Sequence, residues 1–313
     1  MAVFFGSNSY EFNSRKIMPQ INLNRIAGLN KITDRYEGFL IDLWGVVHDG
    51  YTPYPGTIDC INQLLSADKK IIFVSNAPRP GILSKQKLLD YDINSDKFQV
   101  LTSGDQLRHQ LLHFEDKLFA TMDRRLYHLG AARNSDILAG IPADITENIQ
   151  DADFILLTAY LDQGEDLNQF QDLFKQAIAR NLPMVCANPD KIVINGQQNR
   201  YCAGFFAEQY EQLGGKVYYY GKPHLPIFEL AIQSLSELGI VDKNKILMIG
   251  DTPDTDILGA TQAGIDSLLV LTGNMSNLLK QPEHAGLNQA EQLLSILKYY
   301  GVKPTWITSS LMM

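Results

Sequence analysis

Long apolar runs are missing from this chain. No stretch in its 313 residues reaches the roughly 18 consecutive apolar positions of a membrane helix, so no spanning segment is expected. Cysteine is scarce. The three present, Cys60, Cys186 and Cys202, are odd in number and contain no CxxC pair, which fits neither a disulfide framework nor a thiolate zinc site, so they read as buried, reduced thiols. A Lys/Arg block is also lacking. With 27 basic against 35 acidic residues the formal net charge is −8, so a phosphate backbone or an anionic membrane is repelled on average. Nucleic acid and membrane are therefore not expected as partners, whereas a small phosphorylated compound in a local basic pocket remains open. Met1 to Lys16 offers Phe4 and Phe5 but no apolar core before Asn8, Glu11 and Arg15, so no secretory signal is read there and the cytoplasm is the expected compartment.

What is there is a globular composition, 45% hydrophobic and 20% charged, in a chain long enough for two domains. Four short apolar runs, Gly38 to Ile41, Ile71 to Val74, Ile246 to Ile249 and Leu268 to Leu271, each stop at a polar residue and read as buried parallel strands. Helical spacing separates them, with Ile58, Ile61, Leu64 and Leu65 after Pro55-Gly56, and Ile227, Leu230, Ala231, Leu235 and Leu238 after Pro226. A helix from Asp254 to Ala263 should close at Gly264. The alternation predicts a doubly wound parallel α/β sheet of the Rossmann kind, with its chemistry in the crevice at the carboxyl ends of the strands.

The middle of the chain repeats the style without obviously joining the same sheet. Leu126 to Leu129, Phe154 to Leu157 and Met184 to Ala187 read as strands, and Asp166 is placed to cap a helix carrying Leu167, Phe170, Leu173, Phe174, Ala177 and Ile178. The expected organisation is an N-terminal extension over 1–36, a core over 37–80 and 216–300, an inserted α/β cap over 81–215, and a tail over 301–313.

The residues that follow the strands carry the functional signal. Asp42 ends the first, Ser75-Asn76 the second, Lys222-Pro223 follows the inserted segment, and Gly250-Asp251-Thr252-Pro253-Asp254-Thr255-Asp256 ends the third. Singly, each of these also reads as a cap, a turn or a solvated side chain; order and spacing join them. Together with Asp42-Leu43-Trp44-Gly45-Val46-Val47-His48-Asp49-Gly50, they resemble the four motifs of the haloacid dehalogenase superfamily. Ala187-Asn188-Pro189-Asp190 and Tyr201-Cys202-Ala203-Gly204 with Glu211 resemble the cap of its subgroup of p-nitrophenyl and sugar phosphatases. That resemblance implies a substrate-facing role for Asn188 and Asp190, and pairing of two copies through the cap.

The residues also support a chemical reading of their own. A carboxylate at a strand end, Asp42, can attack phosphorus and divide hydrolysis into two steps. Two anions meeting need neutralisation, for which Mg²⁺ suits carboxylate, carbonyl and water oxygens. Asp42, Asp251 and the Trp44 backbone carbonyl are the expected ligands, with Asp256 orienting metal waters or Lys222. Lys222 adds positive charge beside nucleophile and phosphate, and Ser75 with N–H groups around Asn76 can hold a phosphoryl oxygen. His109 and His113 are four apart but lack a third ligand and read as a helix surface pair.

One position departs from the family pattern. Phosphatases of this superfamily carry a second Asp two residues after the nucleophile, as proton donor and then base; here it is Trp44. Indole has no proton to exchange at physiological pH. Three readings stay open: a Mg²⁺-dependent phosphatase in which water, His48 or Asp49 takes over the lost acid, a metal-independent dehalogenase-like hydrolase attacking carbon, and a phosphate-binding protein with little turnover.

Overall fold

The four apolar runs become strands of one sheet. The computed structural model describes residues 23–113, 125–159, 161–162, 167–195 and 198–313. In chain order the first elements are β1 (Gly38–Ile41), α1 (Thr57–Ser66), β2 (Lys70–Ser75), α2 (Gly81–Asp90), β3 (Phe98–Thr102) and α3 (Ser103–His113). Next come β4 (Arg125–Gly130), β5 (Asp144–Thr146), β6 (Phe154–Thr158), β7 (Leu161–Asp162), α4 (Gln171–Ala179) and β8 (Met184–Cys186). They are followed by β9 (Ile192–Asn195), β10 (Gln198–Tyr201), α5 (Ala203–Gln212) and β11 (Val217–Tyr219). The last are α6 (Leu225–Glu237), β12 (Ile246–Gly250), α7 (Leu258–Ala263), β13 (Asp266–Val270), α8 (Gly273–Leu279), α9 (Gln289–Tyr300) and β14 (Trp306–Thr308).

The first sheet runs β14-β13-β12-β1-β2-β3 with every pair parallel. Alternate residues feed opposite faces. Phe39, Ile41, Phe73 and Ile249 pack with Ile61 and Leu64 of α1, whereas Leu40, Ile72, Val74 and Met248 pack with Ile227, Phe228, Ala231 and Leu235 of α6. Burial on both faces is why these strands read as unbroken apolar runs. The order of connections reverses between β1 and β12, and a doubly wound sheet opens a crevice at such a reversal.

A second parallel sheet runs β11-β8-β6-β4-β5, covered by Phe174 and Ala177 of α4 with Phe206 and Tyr210 of α5 on one face, and by Leu107 and Leu111 of α3 on the other. A small antiparallel sheet, β7-β10-β9, accompanies it. The doubly wound core with a second, inserted α/β layer is thus as expected. Among the described residues, no helix is long and apolar enough to cross a membrane.

The expected boundaries shift at three places. β3, inside the 81–215 segment, is an edge strand of the first sheet, and its exposed Gln99 and half-buried Val100 and Leu101 break the apolar run that the inner strands show. β11, on the far side of residue 216, pairs with β8 of the second sheet. The 301–313 segment supplies β14, and Leu311 is fully buried beneath α1 with its carbonyl accepting from Thr57 Oγ1 at 3.1 Å. Chain from the segment set aside as an N-terminal extension joins there too, with the Ile26 N–H donating to the Ile307 carbonyl at 2.9 Å. The helix expected from Asp254 opens as a single π turn, Pro253–Ile257, before α7. Gly264 closes α7 in the left-handed conformation, φ 71°. Asp166 and residues 1–22 lie outside the described residues.

Candidate active site

Strand pairing brings the first two carboxylates together. Gly38 to Ile41 pair in register with Ile246 to Ile249, and the Asp42 N–H donates to the Ile249 carbonyl at 2.9 Å, so Asp42 and Asp251 leave adjacent strands at the reversal point. The π turn after Asp251 sets Asp256 back toward them, its Oδ2 accepting from the Thr252 N–H at 3.1 Å. Asp42, Asp251 and Asp256 are all buried, and each offers an oxygen within 4.8 Å of the others.

Lys222 reaches this cluster from the other side of the fold. The chain leaving β11 is pinned residue by residue: the Gly221 N–H donates to Gln106 Oε1 at 3.0 Å and the Lys222 N–H to Asn76 Oδ1 at 2.7 Å. The ammonium, 2% exposed, then donates to Asp42 Oδ1 at 2.5 Å and to Asp256 Oδ1 at 2.7 Å. Burial pulls this lysine toward neutrality, but Asp256 and Asp42 outweigh it and hold it charged. Burial pushes the Asp42 carboxyl up against the pull of Lys222, with Asp256 adding to the rise. Asp251 is likewise pushed well up by burial and then by Asp42 and Asp256.

This donor set suits a divalent cation. Three buried carboxylates stand against one ammonium in ion-pair contact, a deficit of two charges. Asp256 accepts from Lys222 and Thr252, and Asp251 from Asn274 and Thr252, but a carboxylate oxygen keeps a second lone pair beyond one hydrogen bond, so all three carboxylates can still face a cation. Loops shape the floor around Asp251. Its Oδ2 accepts from the Asn274 N–H at 2.5 Å and its Oδ1 from Thr252 Oγ1 at 3.0 Å, while Asn274 Nδ2 braces Thr252 Oγ1 at 2.9 Å. Gly45 (φ 95°) and Gly273 (φ 51°) close over the same carboxylate, where a Cβ on either residue would collide with it.

Not every expected residue faces the cluster in the expected manner. Ser75 is buried at the end of β2, its Oγ accepting from the Ala77 N–H at 3.3 Å. The Asn76 side chain is spent on structure: beyond the Lys222 N–H, its Nδ2 donates to the Lys222 carbonyl at 3.0 Å and to Asp190 Oδ1 at 2.8 Å. Any phosphate contact there must use backbone. Asn188 turns inward, its Oδ1 accepting from the Asp190 N–H at 3.0 Å. Asp190 meets the loop after β2 through its hydrogen bond from Asn76.

The residues considered as stand-ins for the absent acid are unsuited to it. His48 is 5% exposed, edge-on to the Trp44 ring at 5.5 Å, and its Nδ1 accepts from the Gly50 N–H at 3.0 Å. Burial, then Lys87, pulls its imidazole down to about 3. Asp49 accepts from the N–H groups of Tyr51 and Thr52 at 2.9 and 2.8 Å, and these bonds overcome its slight burial to keep it ionised. His109 is exposed on α3, and the side chain of His113 lies outside the described residues.

Sequence reasoning missed Asn274, Thr272, Gln106 and Ser103. Thr272 Oγ1 donates to the Gly45 carbonyl at 2.5 Å, and Ser103 Oγ to the Ala187 carbonyl at 2.6 Å. Thr272-Gly273-Asn274 follows a strand of the first sheet, and that position was the available signal. A cavity of about 230 Å³ borders the site between Lys191 and Glu208 on one side and His224 and Asp254 on the other; Asp42, Ser75 and Asp251 do not line it.

Residues 39–140 match a haloacid dehalogenase-like hydrolase family model and residues 219–296 a HAD-hydrolase-like one. The chain is 25% identical over 262 residues to the 5'-nucleotidase YutF of Bacillus subtilis, covering 80% of this chain and 94% of the relative. It is 25% identical over 242 residues to an acid sugar phosphatase of Staphylococcus haemolyticus, covering 76% and 86%. A solved haloacid dehalogenase-like hydrolase from Brucella suis superposes with a TM-score of 0.77 at 31% identity, over 92% of this chain and all of that one. With identity at that level sustained along nearly the whole length, the chain belongs to the haloacid dehalogenase-like hydrolase family.

Proposed function

We propose that this haloacid dehalogenase-type phosphatase hydrolyses a small phosphorylated metabolite in two steps, through an aspartyl-phosphate on Asp42, with Mg²⁺ bound at Asp42, Asp251 and the Trp44 carbonyl. The observation that carries the reading is the buried Asp42–Lys222–Asp256 contact beside Asp251. Asp42 bonds to phosphorus as the alcohol departs, and water then releases phosphate from the Asp42 carboxyl. Lys222 neutralises nucleophile and phosphoryl oxygens, and Ser75 with the N–H groups following β2 holds the phosphoryl group. Asp256 keeps Lys222 charged and aimed. When bound, the metal supplies the two missing positive charges and polarises the phosphoryl oxygens.

The acid sugar phosphatase and the nucleotidase among its relatives favour sugar phosphates and nucleotides as the first compounds to try. Asn188 and Asp190 would face the substrate from the cap. A cytoplasmic setting and pairing of two copies through the cap belong to the same reading; the half-exposed Ile145 on edge strand β5 supports an edge available for pairing. The carboxylate excess around Asp251 favours phosphoryl over carbon chemistry, since attack on a haloacid requires no metal. Hydrolysis of p-nitrophenyl phosphate should depend on Mg²⁺, fall on chelation and vanish in Asp42→Asn. Activity that survives chelation, or halide release from a 2-haloacid, sinks the reading.

A further inference from the structure

Asp190 is a carboxyl held with one oxygen occupied and one open. Its Oδ1 accepts from Asn76 Nδ2 at 2.8 Å, its N–H is tied to Asn188 Oδ1 at 3.0 Å, and its carbonyl accepts from the Gly204 N–H at 3.1 Å. Gly204 is pressed so closely on the backbone of Pro189 and Asp190 that a Cβ would not fit. The turn is thus fixed on both sides, and among the described residues Oδ2 takes no hydrogen bond. Asn76 links the same carboxyl to both backbone polar groups of Lys222, the residue whose ammonium touches Asp42.

Its surroundings suit a proton donor. Lys222 from the loop after β11, Asp254 and Asp256 from the π turn, Asp42 at the end of β1 and the Cys186 thiol of β8 are the charged and titratable groups that act on it or feel it. Burial raises the Asp190 carboxyl to about 6 against the pull of Lys222 and of the Asn76 hydrogen bond, with Asp256 and Asp254 adding to the rise. A carboxyl in that range exchanges protons at working pH, which Trp44, His48 and Asp49 do not.

We propose that Asp190 is the general acid and then the general base of this enzyme, supplying from the cap, through Oδ2, the proton that Trp44 cannot. The inference rests on the aspartyl-phosphate reading above. In the first step an Asp42 oxygen bonds to phosphorus, the bond from phosphorus to the leaving oxygen breaks with its electron pair going to that oxygen, and the Asp190 proton follows to give the neutral alcohol. In the second, ionised Asp190 takes a proton from water as the water oxygen bonds to phosphorus. The bond to Asp42 breaks, and inorganic phosphate leaves with Asp42 ionised and Asp190 protonated again.

Two esters of one shape test this. With Mg²⁺ present, kcat/KM is measured for phenyl phosphate and p-nitrophenyl phosphate in wild type, Asp42→Asn and Asp190→Asn. Nitrophenolate leaves without a proton and phenolate does so poorly. Asp190→Asn should lose roughly 10²-fold on phenyl phosphate and only a few-fold on p-nitrophenyl phosphate. Trp44→Asp in the same background should restore the phenyl ester. Equal losses on the two esters, or a change confined to KM, overturn the proposal. If Asp190→Asn does not fold, the wild-type profile decides: kcat/KM for phenyl phosphate should fall as pH rises through the Asp190 range while p-nitrophenyl phosphate does not, and parallel profiles overturn it. A wild type inert on both esters, or an active Asp42→Asn, instead overturns the phosphoenzyme and takes this inference with it; leaving-group-independent losses in an otherwise Asp42-dependent enzyme overturn Asp190 alone.

Discussion

The Lys222 ammonium meets Asp42 Oδ1 at 2.5 Å across 180 positions of chain, in a contact buried at both ends. Because Asp256 shares the same ammonium, removing it leaves two buried carboxylates unpaired rather than one. Lys222→Ala should lower kcat for p-nitrophenyl phosphate by about 10²-fold or more, as loss of a preorganised charge partner does. Lys222→Arg should not rescue it, since a planar guanidinium cannot occupy the space of a point charge between two carboxylates. Steady-state kinetics on the two variants check both statements.

Asp251 is the carboxyl of the cluster that makes no ion pair among the described residues. Its carboxyl is pushed well up by burial and by Asp42 and Asp256, so its ionised form works against the metal-free fold. Asp251→Asn should abolish the thermal shift caused by Mg²⁺ and raise the unfolding free energy of the metal-free protein by about 1–3 kcal/mol. A melting curve in chelator and in Mg²⁺ separates the two effects, and a variant that still responds to Mg²⁺ would remove Asp251 from the ligand set.

His48 gives the fold a dependence on pH. Burial and then Lys87 hold its imidazole down at about 3, while in the unfolded chain it protonates near its ordinary value of about 6.5. Its contribution to stability is therefore complete above the unfolded value and is lost as pH falls toward the folded one, at up to about 1.4 kcal/mol per pH unit. His48→Asn keeps an acceptor for the Gly50 N–H and should flatten the fall in unfolding free energy between about pH 6 and 4 by one proton. Urea unfolding across that range is the measurement, and an unchanged slope counts against a neutral His48.

The last strand is structural. Trp306 Nε1 donates to Tyr36 Oη at 2.8 Å, and Tyr36 Oη donates to Asp266 Oδ2 at 2.5 Å, tying β14, the approach to β1 and β13. Tyr36→Phe should cost about 1–3 kcal/mol of stability, because it leaves partly buried groups without partners, while kcat stays at the wild-type value. Ending the chain at Gly301 should do far more, since it bares the edge of β13 and removes the buried Ile307 and Leu311. Chemical denaturation of both variants, beside their kinetics, distinguishes a role in stability from one in chemistry.

The continuous runs at β1, β2, β12 and β13, the polar residues ending them and the helix stop at Gly264 are local signals. Burial on both faces forces apolar runs, strand ends face the crevice, and only glycine takes the left-handed cap without cost, so the doubly wound core and the candidate residues Asp42, Ser75, Lys222, Asp251 and Asp256 are legible from local pattern. Long-range packing supplies what local pattern does not encode. β3 and β14 are an edge strand and a three-residue strand, too short or too exposed to announce themselves, and their place comes from pairing with β2 and β13. Asn76 looked like a phosphate ligand because it follows a strand; only the fold brings Lys222 and Asp190 to it from 146 and 114 positions away and spends its amide on them. Asp190 shows the same limit, since an Asn-Pro-Asp turn is ordinary as sequence. Its tie through Asn76 to Lys222 exists only once the second sheet is set against the first, because long-range contacts, not local propensity, fix the environment that tunes a carboxyl.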